Sequence, residues 1–385
     1  MDQSEKIFVS YPAAQFNQYQ NEIIAAIKRV CKSDHYILGP EVEAFEHQFA
    51  QYHRSEYCVS VGSGTDALIL ALRTLDIGQG DEVITVAHTA LATVAAIIAT
   101  GATPVLIDIE EDYFTLDPNK IELAITKKTK AIIPVHLYGQ PCDMQPIMAI
   151  AEKYQLKVIE DCAQAHGATY NNRKVGTFGD IGCFSFYPTK NLGGIGDGGA
   201  IITNNNSIYK KISKLRQYGW DENRIAHYTS IVSRLDELQA SILRIKLCHL
   251  DYLNQLRKKI ADCYAQYITS SKIIKLKSRS TAQHVYHLYV IRTPQRGVLQ
   301  QMLLNQNIVT GVHYKEAVHH HPAYAPFVKI PQPLNITEKI IKEILSLPIY
   351  PELALKKVKM ISKWIVSIIS KWIVSILDQE SKDVV

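Results

Sequence analysis

From about residue 55 to residue 205, short apolar runs alternate with segments of helical spacing, and this alternation leaves the chain few folds to choose from. The runs at 83–86, 104–109, 131–135, 157–160, 182–186 and 200–203 are rich in Val and Ile. Most are apolar on both faces, as strands covered on both sides must be. Between them, 65–74, 90–100, 144–154 and 208–218 read as helices. The pattern predicts a doubly wound α/β layer with a mainly parallel sheet. A longer helical pattern, 234–267, leads into a smaller region with a strand at 287–291 and helices near 298–305 and 337–345. We expect three parts: an N-terminal segment 1–30 that packs on the small domain, a large domain 31–245, and a small domain 246–385.

Length and charge narrow the function. A chain of 385 residues suits two domains of unequal size. The net charge of +5 comes from scattered Lys and Arg with no basic tract, which argues against nucleic-acid binding. The seven cysteines form no C-x-x-C pair and read as reduced thiols of a cytoplasmic protein. The N-terminus has no hydrophobic signal core, and no apolar run reaches the ~18 residues of a membrane span. Near the C-terminus, 361–368 reads ISKWIVSI and 369–376 repeats it letter for letter. Its apolar residues fall at helical spacing, which suits a terminal helix of the small domain, an oligomer contact or a membrane-surface helix.

Four features in chain order carry chemistry. Val61-Gly62-Ser63-Gly64-Thr65 closes a strand and opens a helix, whose free N–H groups and positive end suit an anion. Asp161 ends the strand at 157–160, at the sheet edge where ligands bind in open α/β layers. A carboxylate there can pair with a pyridinium nitrogen. Ser185, Tyr187, Pro188 and Lys190 follow the next strand; the serine can donate to a phosphate and the lysine can form a Schiff base once its pKa is lowered. The turn Gly193-Gly194-Ile195-Gly196-Asp197-Gly198-Gly199 then lets backbone crowd the lysine. Each feature alone is ordinary: a capped helix, a surface acid, a solvated lysine, a flexible loop. Their order is what points to a pyridoxal 5′-phosphate (PLP) site.

These segments, with Ile37-Leu38-Gly39-Pro40-Glu41-Val42, Gly80-Asp81-Glu82-Val83-Ile84, Glu160–Gly167, Arg234–Ala240, His313-Tyr314 and Pro322-Ala323-Tyr324, resemble the DegT-type nucleotide-sugar aminotransferases over roughly residues 7–355. The resemblance implies an α/β fold of the fold type I PLP-dependent transferases: a mostly parallel central sheet flanked by helices, with a smaller α+β C-terminal domain. It implies that Lys190 holds PLP and moves the proton, that Asp161 pairs with the ring nitrogen, and that Gln164 lies near the ring. Gly64, Thr65 and Ser185 would hold the phosphate, and His88 would cover the other ring face, because Ala90 stands where many members have an aromatic. Tyr187, Arg234, His313, Tyr314 and His319 become candidates for the sugar or its diphosphate, and no metal is expected. Many members have an Asn at position 232 that reaches the neighbouring subunit's cofactor phosphate; Val232 cannot, and Ser230 or Ser233 would have to replace it.

The resemblance also implies a homodimer with active sites at the subunit interface, L-glutamate as amino donor and a nucleotide-linked keto-sugar as acceptor. Asp197 in the glycine turn and the segment 87–90 favour C3 of a dTDP-3-keto-6-deoxyhexose, with C4 as the alternative. The product would be a 3-amino-3,6-dideoxyhexose for O-antigen, lipopolysaccharide or a glycosylated natural product. A PLP sugar dehydratase, a cysteine desulfurase and a non-catalytic sensor of PLP or nucleotide-sugar are the rivals. Lys190 with Asp161 argues against the first and last, and no cysteine is flanked as the second needs.

Overall fold

The computed structural model describes residues 6–380, and side chains through Ser370. Seven strands form the main sheet: β1 Tyr57–Val61, β2 Glu82–Val86, β3 Thr103–Ile107, β4 Thr129–Ile132, β5 Lys157–Asp161, β6 Ile181–Ser185 and β7 Gly199–Thr203. Their order across the sheet is β1-β7-β6-β5-β4-β2-β3. From β6 to β3 every neighbouring pair is parallel, whereas β7 runs antiparallel to both β6 and β1. The reason is local. The link from Ser185 to Gly199 contains no helix, and a parallel return needs a crossover. Gly199 pairs with Val61 on one side and Ser185 on the other. The ends of β1 and β6 are thereby brought together across a residue with no side chain.

Eleven α-helices surround the sheets among the described residues: α1 Pro12–Gln18, α2 Gln20–Cys31, α3 Pro40–His53, α4 Gly64–Thr74, α5 Leu91–Ala99, α6 Met144–Tyr154, α7 Asn206–Leu215, α8 Glu237–Tyr267, α9 Arg296–Leu304, α10 Asn335–Glu343 and α11 Leu355–Glu380. The core strands are buried on both faces, as their Val and Ile content requires. The N-terminal residues touch two places: Ile7 bridges Ile308, and Ile23 of α2 packs on Ile242 and Leu253 of α8.

A second, antiparallel sheet joins β8 Ile274–Lys275, β9 Tyr289–Arg292 and β10 Ile344–Leu347. The helix expected at 337–345 therefore ends at Glu343, because the next four residues pair with β9. Asp108, just beyond β3, accepts from the backbone N–H groups of Ile336 and Thr337 and from the Thr337 hydroxyl, fastening the start of α10 to the main sheet. In α11, Val358, Ile361, Ile365, Ile368 and Ile369 bury themselves with Leu299 and Leu303 of α9 and Tyr264 of α8. The first ISKWIVSI copy is thus a buried helix that packs with α8, α9 and the second sheet. The side chains of the second copy from position 371 onward lie outside the described residues.

One buried carboxylate explains two of the sequence segments. Glu237 accepts from the N–H groups of Gly39, Glu41 and Val42 at 2.8–2.9 Å and so caps α3 from the start of α8. Charge-assisted bonds of this kind are worth about 1.5–3 kcal/mol each, and stripping the acceptor leaves buried donors unpaired. Glu237→Ala is expected to lower the unfolding free energy by about 3 kcal/mol. Urea unfolding of the apoprotein tests this; a loss below about 1 kcal/mol would contradict the capping role.

Candidate active site

The C-terminal ends of β1, β5 and β6 open onto one cavity of about 370 Å³. Its floor is the start of α4. Ser63 caps this helix, its hydroxyl accepting from the Asp66 N–H at 3.1 Å. Asp66 in turn accepts from the Ser233 hydroxyl, which itself accepts from the Gly62 N–H. Gly64 and Thr65 line the cavity with first-turn amides that a helix leaves without internal acceptors. Ser185 lies against them. A methyl group on Gly64 would fall 2.6 Å from the Ser185 Cβ, so only glycine fits this cup.

Asp161 and Lys190 line the same cavity. The Asp161 carboxylate accepts from the Thr93 hydroxyl at 2.8 Å and from the Ala163 N–H at 3.1 Å. Thr93 and Thr89 share a further hydrogen bond at 2.9 Å. Burial raises the Asp161 pKa, and the Thr93 bond opposes that shift. Burial lowers the Lys190 pKa to about 8, with Asp161 opposing. The glycine turn behind the lysine is pinned: Gln239 donates to the Ile195 carbonyl and accepts from its N–H, and Lys246 donates to the Gly193 carbonyl.

Gln164 forms a side wall, its carbonyl accepting from the Tyr138 N–H at 2.7 Å and its amide donating to the Tyr314 hydroxyl at 3.0 Å. His313 hydrogen-bonds the Ser346 hydroxyl at 2.9 Å, and burial holds its pKa down at about 4, so the ring is neutral. Tyr187 stands at the mouth with 53% of its surface exposed.

Nine residues expected from the sequence therefore line one cavity: Gly64, Thr65, Asp161, Gln164, Ser185, Tyr187, Lys190, His313 and Tyr314. Three do not. His88 is 1% exposed behind the wall, its Nε2 bonded to the Tyr138 hydroxyl at 2.7 Å, and burial lowers its pKa to about 3. Its neighbours Thr89 and Ala90 face the cavity instead. Arg234 is partly buried beside Gly62 and does not reach the lining. His319 is turned away onto Glu338 at 2.6 Å. Neither serine near Val232 is free: Ser233 holds Asp66, and Ser230 donates to the Leu215 carbonyl. Thr93 and Tyr138 were not expected. The spacing of four between Thr89 and Thr93 was the one available signal, since it aligns both hydroxyls on a helix start.

The cup, the buried acid and the lysine of lowered pKa fit a flat aldehyde with a phosphate at one end and a ring nitrogen at the other. Fold and cavity together define a fold type I PLP-dependent aminotransferase. The chain belongs to the DegT/DnrJ/EryC1/StrS aminotransferase family, which matches residues 17–366. Over 344 residues it is 48% identical to the dTDP-3-amino-3,6-dideoxy-alpha-D-galactopyranose transaminase of Aneurinibacillus thermoaerophilus, covering 89% of this chain and 94% of that one. It is 43% identical to the dTDP-3-amino-3,4,6-trideoxy-alpha-D-glucose transaminase of Streptomyces venezuelae, with 91% and 94% covered. The crystal structure of S. venezuelae DesV in complex with a ketimine intermediate superposes with a TM-score of 0.92 at 41% identity, covering 94% of this chain and 98% of that one. The PLP-form of a putative sugar aminotransferase from Streptococcus pneumoniae superposes at 0.86 with 28% identity, over 91% and 96%.

Proposed function

We propose that this enzyme moves an amino group from L-glutamate to C3 of a dTDP-3-keto-6-deoxyhexose, giving dTDP-3-amino-3,6-dideoxy-galactose or -glucose. The observation that carries the reading is one cavity lined by Gly64, Thr65, Asp161, Ser185 and Lys190 in a chain whose near relatives are named for 3-amino sugars. Of the features that favoured C3 over C4, Asp197 and, from the segment 87–90, Thr89 and Ala90 line this cavity, whereas His88 does not. Gly64, Thr65 and Ser185 would hold the phosphate of PLP, and Asp161 would pair with its ring nitrogen. Bound PLP supplies an electron-accepting ring that stabilises negative charge on the carbon carrying the amine. Lys190 would move a proton between that carbon and the cofactor's aldehyde carbon, acting as general base at one and general acid at the other. Thr93 holds Asp161 in place, and Gln164 with Tyr314 closes one side. Neutral His313 and exposed Tyr187 face the sugar.

Beside Tyr187 at the mouth, large apolar side chains are exposed on the glycine turn, before α3 and at the start of α8. Tyr187, Ile195, Tyr36, Ile37 and Leu238 are each more than a third exposed. They are connected, because Ile37 bridges Asp236 and Ile195 is bonded to Gln239. A second copy of the chain covering this patch would complete the site as a homodimer. We assign the reaction to the cytoplasm and its product to surface polysaccharide (O-antigen or lipopolysaccharide) or a glycosylated natural product. No described helix is long and apolar enough to cross a membrane.

The deciding experiment incubates the enzyme with glutamate and a panel of dTDP-, UDP- and GDP-linked 3-keto and 4-keto sugars, with products read by mass spectrometry. A dTDP-3-amino-3,6-dideoxyhexose is expected; turnover of 4-keto sugars alone would overturn the C3 assignment. A second reading arises because a 43% identical protein from Geobacillus stearothermophilus is named a pleiotropic regulatory protein. Conversion of the bound cofactor to its amine form by glutamate separates enzyme from sensor.

Two further results are expected. Gly64→Ala crowds Ser185 and should weaken PLP binding at least tenfold with the fold intact, which cofactor titration of the apoprotein reads. Because Lys190 must be neutral to capture the aldehyde and its pKa is about 8, the capture rate should rise about tenfold per pH unit below 8 and level off above. A profile still rising at pH 10 would refute the lowered pKa.

A further inference from the structure

Outside the cofactor cavity, two histidines and a glutamate converge on one point. His319 Nε2 and His320 Nε2 lie 2.6 and 2.9 Å from the same oxygen, Oε1 of Glu338. The three ligand atoms sit within 4.8 Å of one another. They come from two separate elements, each held in place independently. The histidines lie on the short 3-10 turn Val318–His320, whose Val318 N–H donates to the Ala87 carbonyl and whose Val318 side chain packs with Ala87, Val94 and Leu106. Glu338 lies on α10, whose start is capped by Asp108. The cluster is therefore preorganised by packing that does not depend on it.

A further group fits the same reading. Glu316 Oε2 lies 3.3 Å from His320 Nδ1. A carboxylate on the far nitrogen of an imidazole holds its N–H there and leaves Nε2 with its lone pair free, as outer carboxylates do for metal-bound histidines. The His319 side chain is only 12% exposed, so its ring is already largely out of water.

We propose that His319, His320 and Glu338 form a site for a borderline divalent transition metal of the Zn²⁺ class, with Glu316 as the outer carboxylate. Two imidazoles and one carboxylate suit Zn²⁺ and leave a fourth tetrahedral position for water. Mg²⁺ and Ca²⁺ prefer all-oxygen sets and are disfavoured. Bound metal takes the place of the direct contacts between the two Nε2 atoms and Glu338, and it ties α10 to the segment that docks on Ala87. This departs from the metal-free expectation of the sequence and gives His319 a role away from the sugar.

The test uses untagged, PLP-loaded enzyme titrated with Zn²⁺ in competition with a chromophoric chelator. One equivalent per chain is expected. His320→Ala and the nearly isosteric Glu338→Gln should each weaken binding by about 100-fold, at the upper end for lost support, and Glu316→Gln by about tenfold. All three variants should keep the cofactor absorbance, which shows that they fold. Absence of competing zinc uptake by the parent enzyme overturns the site. Undiminished binding by His320→Ala and Glu338→Gln also overturns it, since the metal would then lie elsewhere.

Discussion

Lys190→Ala is expected to reduce kcat for amino transfer by about 10⁴-fold, the upper range for losing a positioned acid/base, since the covalent anchor is lost with it. Among the described residues, the lysine is the one amine lining the cavity that also holds the cup and Asp161. Its pKa near 8 gives it a neutral fraction at physiological pH that a solvated lysine lacks. Its surroundings are held by bonds it does not make: Gln239 pins the glycine turn and Lys246 the Gly193 carbonyl. The variant should therefore fold and still bind PLP through the phosphate cup, but lose the long-wavelength absorbance of the lysine-bound aldehyde. Activity within tenfold of the parent would move the chemistry to another group.

The second large effect is expected for Asp161→Asn. A unit charge pair at ~4 Å with an effective dielectric of ~20 is worth ~4 kcal/mol before desolvation. At 1.36 kcal/mol per factor of ten, losing it costs about 10³-fold in kcat. The substitution keeps size and leaves an oxygen that can still accept from Thr93 or the Ala163 N–H. Stability should change little, and the loss should fall on kcat rather than on PLP affinity. A fall of less than tenfold would mean that the ring nitrogen needs no charged partner here.

Much of this was legible from the chain. Parallel strands put their C-terminal ends on one edge, so residues just beyond successive strands meet there whatever the loops do. That is why Gly64, Asp161, Ser185 and Lys190 could be assembled by order alone, and why the strands were recognisable from runs of Val and Ile. Side-chain direction was not legible. At 87–89 the chain bends just after β2, and His88 turns inward to Tyr138 while Thr89 and Ala90 face the cavity. The choice depends on Tyr138, fifty residues away in sequence. His319 was drawn off by Glu338 on a helix that no local pattern links to it. Ser233, a candidate for reaching a neighbouring subunit, is committed to Asp66 and Gly62.

The sequence by itself determined the α/β layer, the order of its functional strand ends and the lysine, acid and glycine that meet there. These depend on strand period and chain order, which are local properties. Only the tertiary structure decided that Thr93 supports Asp161, that His88 stands behind the wall, and that His319, His320 and Glu338 converge. Those contacts join residues whose separation in the chain carries no signal, and packing alone sets which way each side chain points.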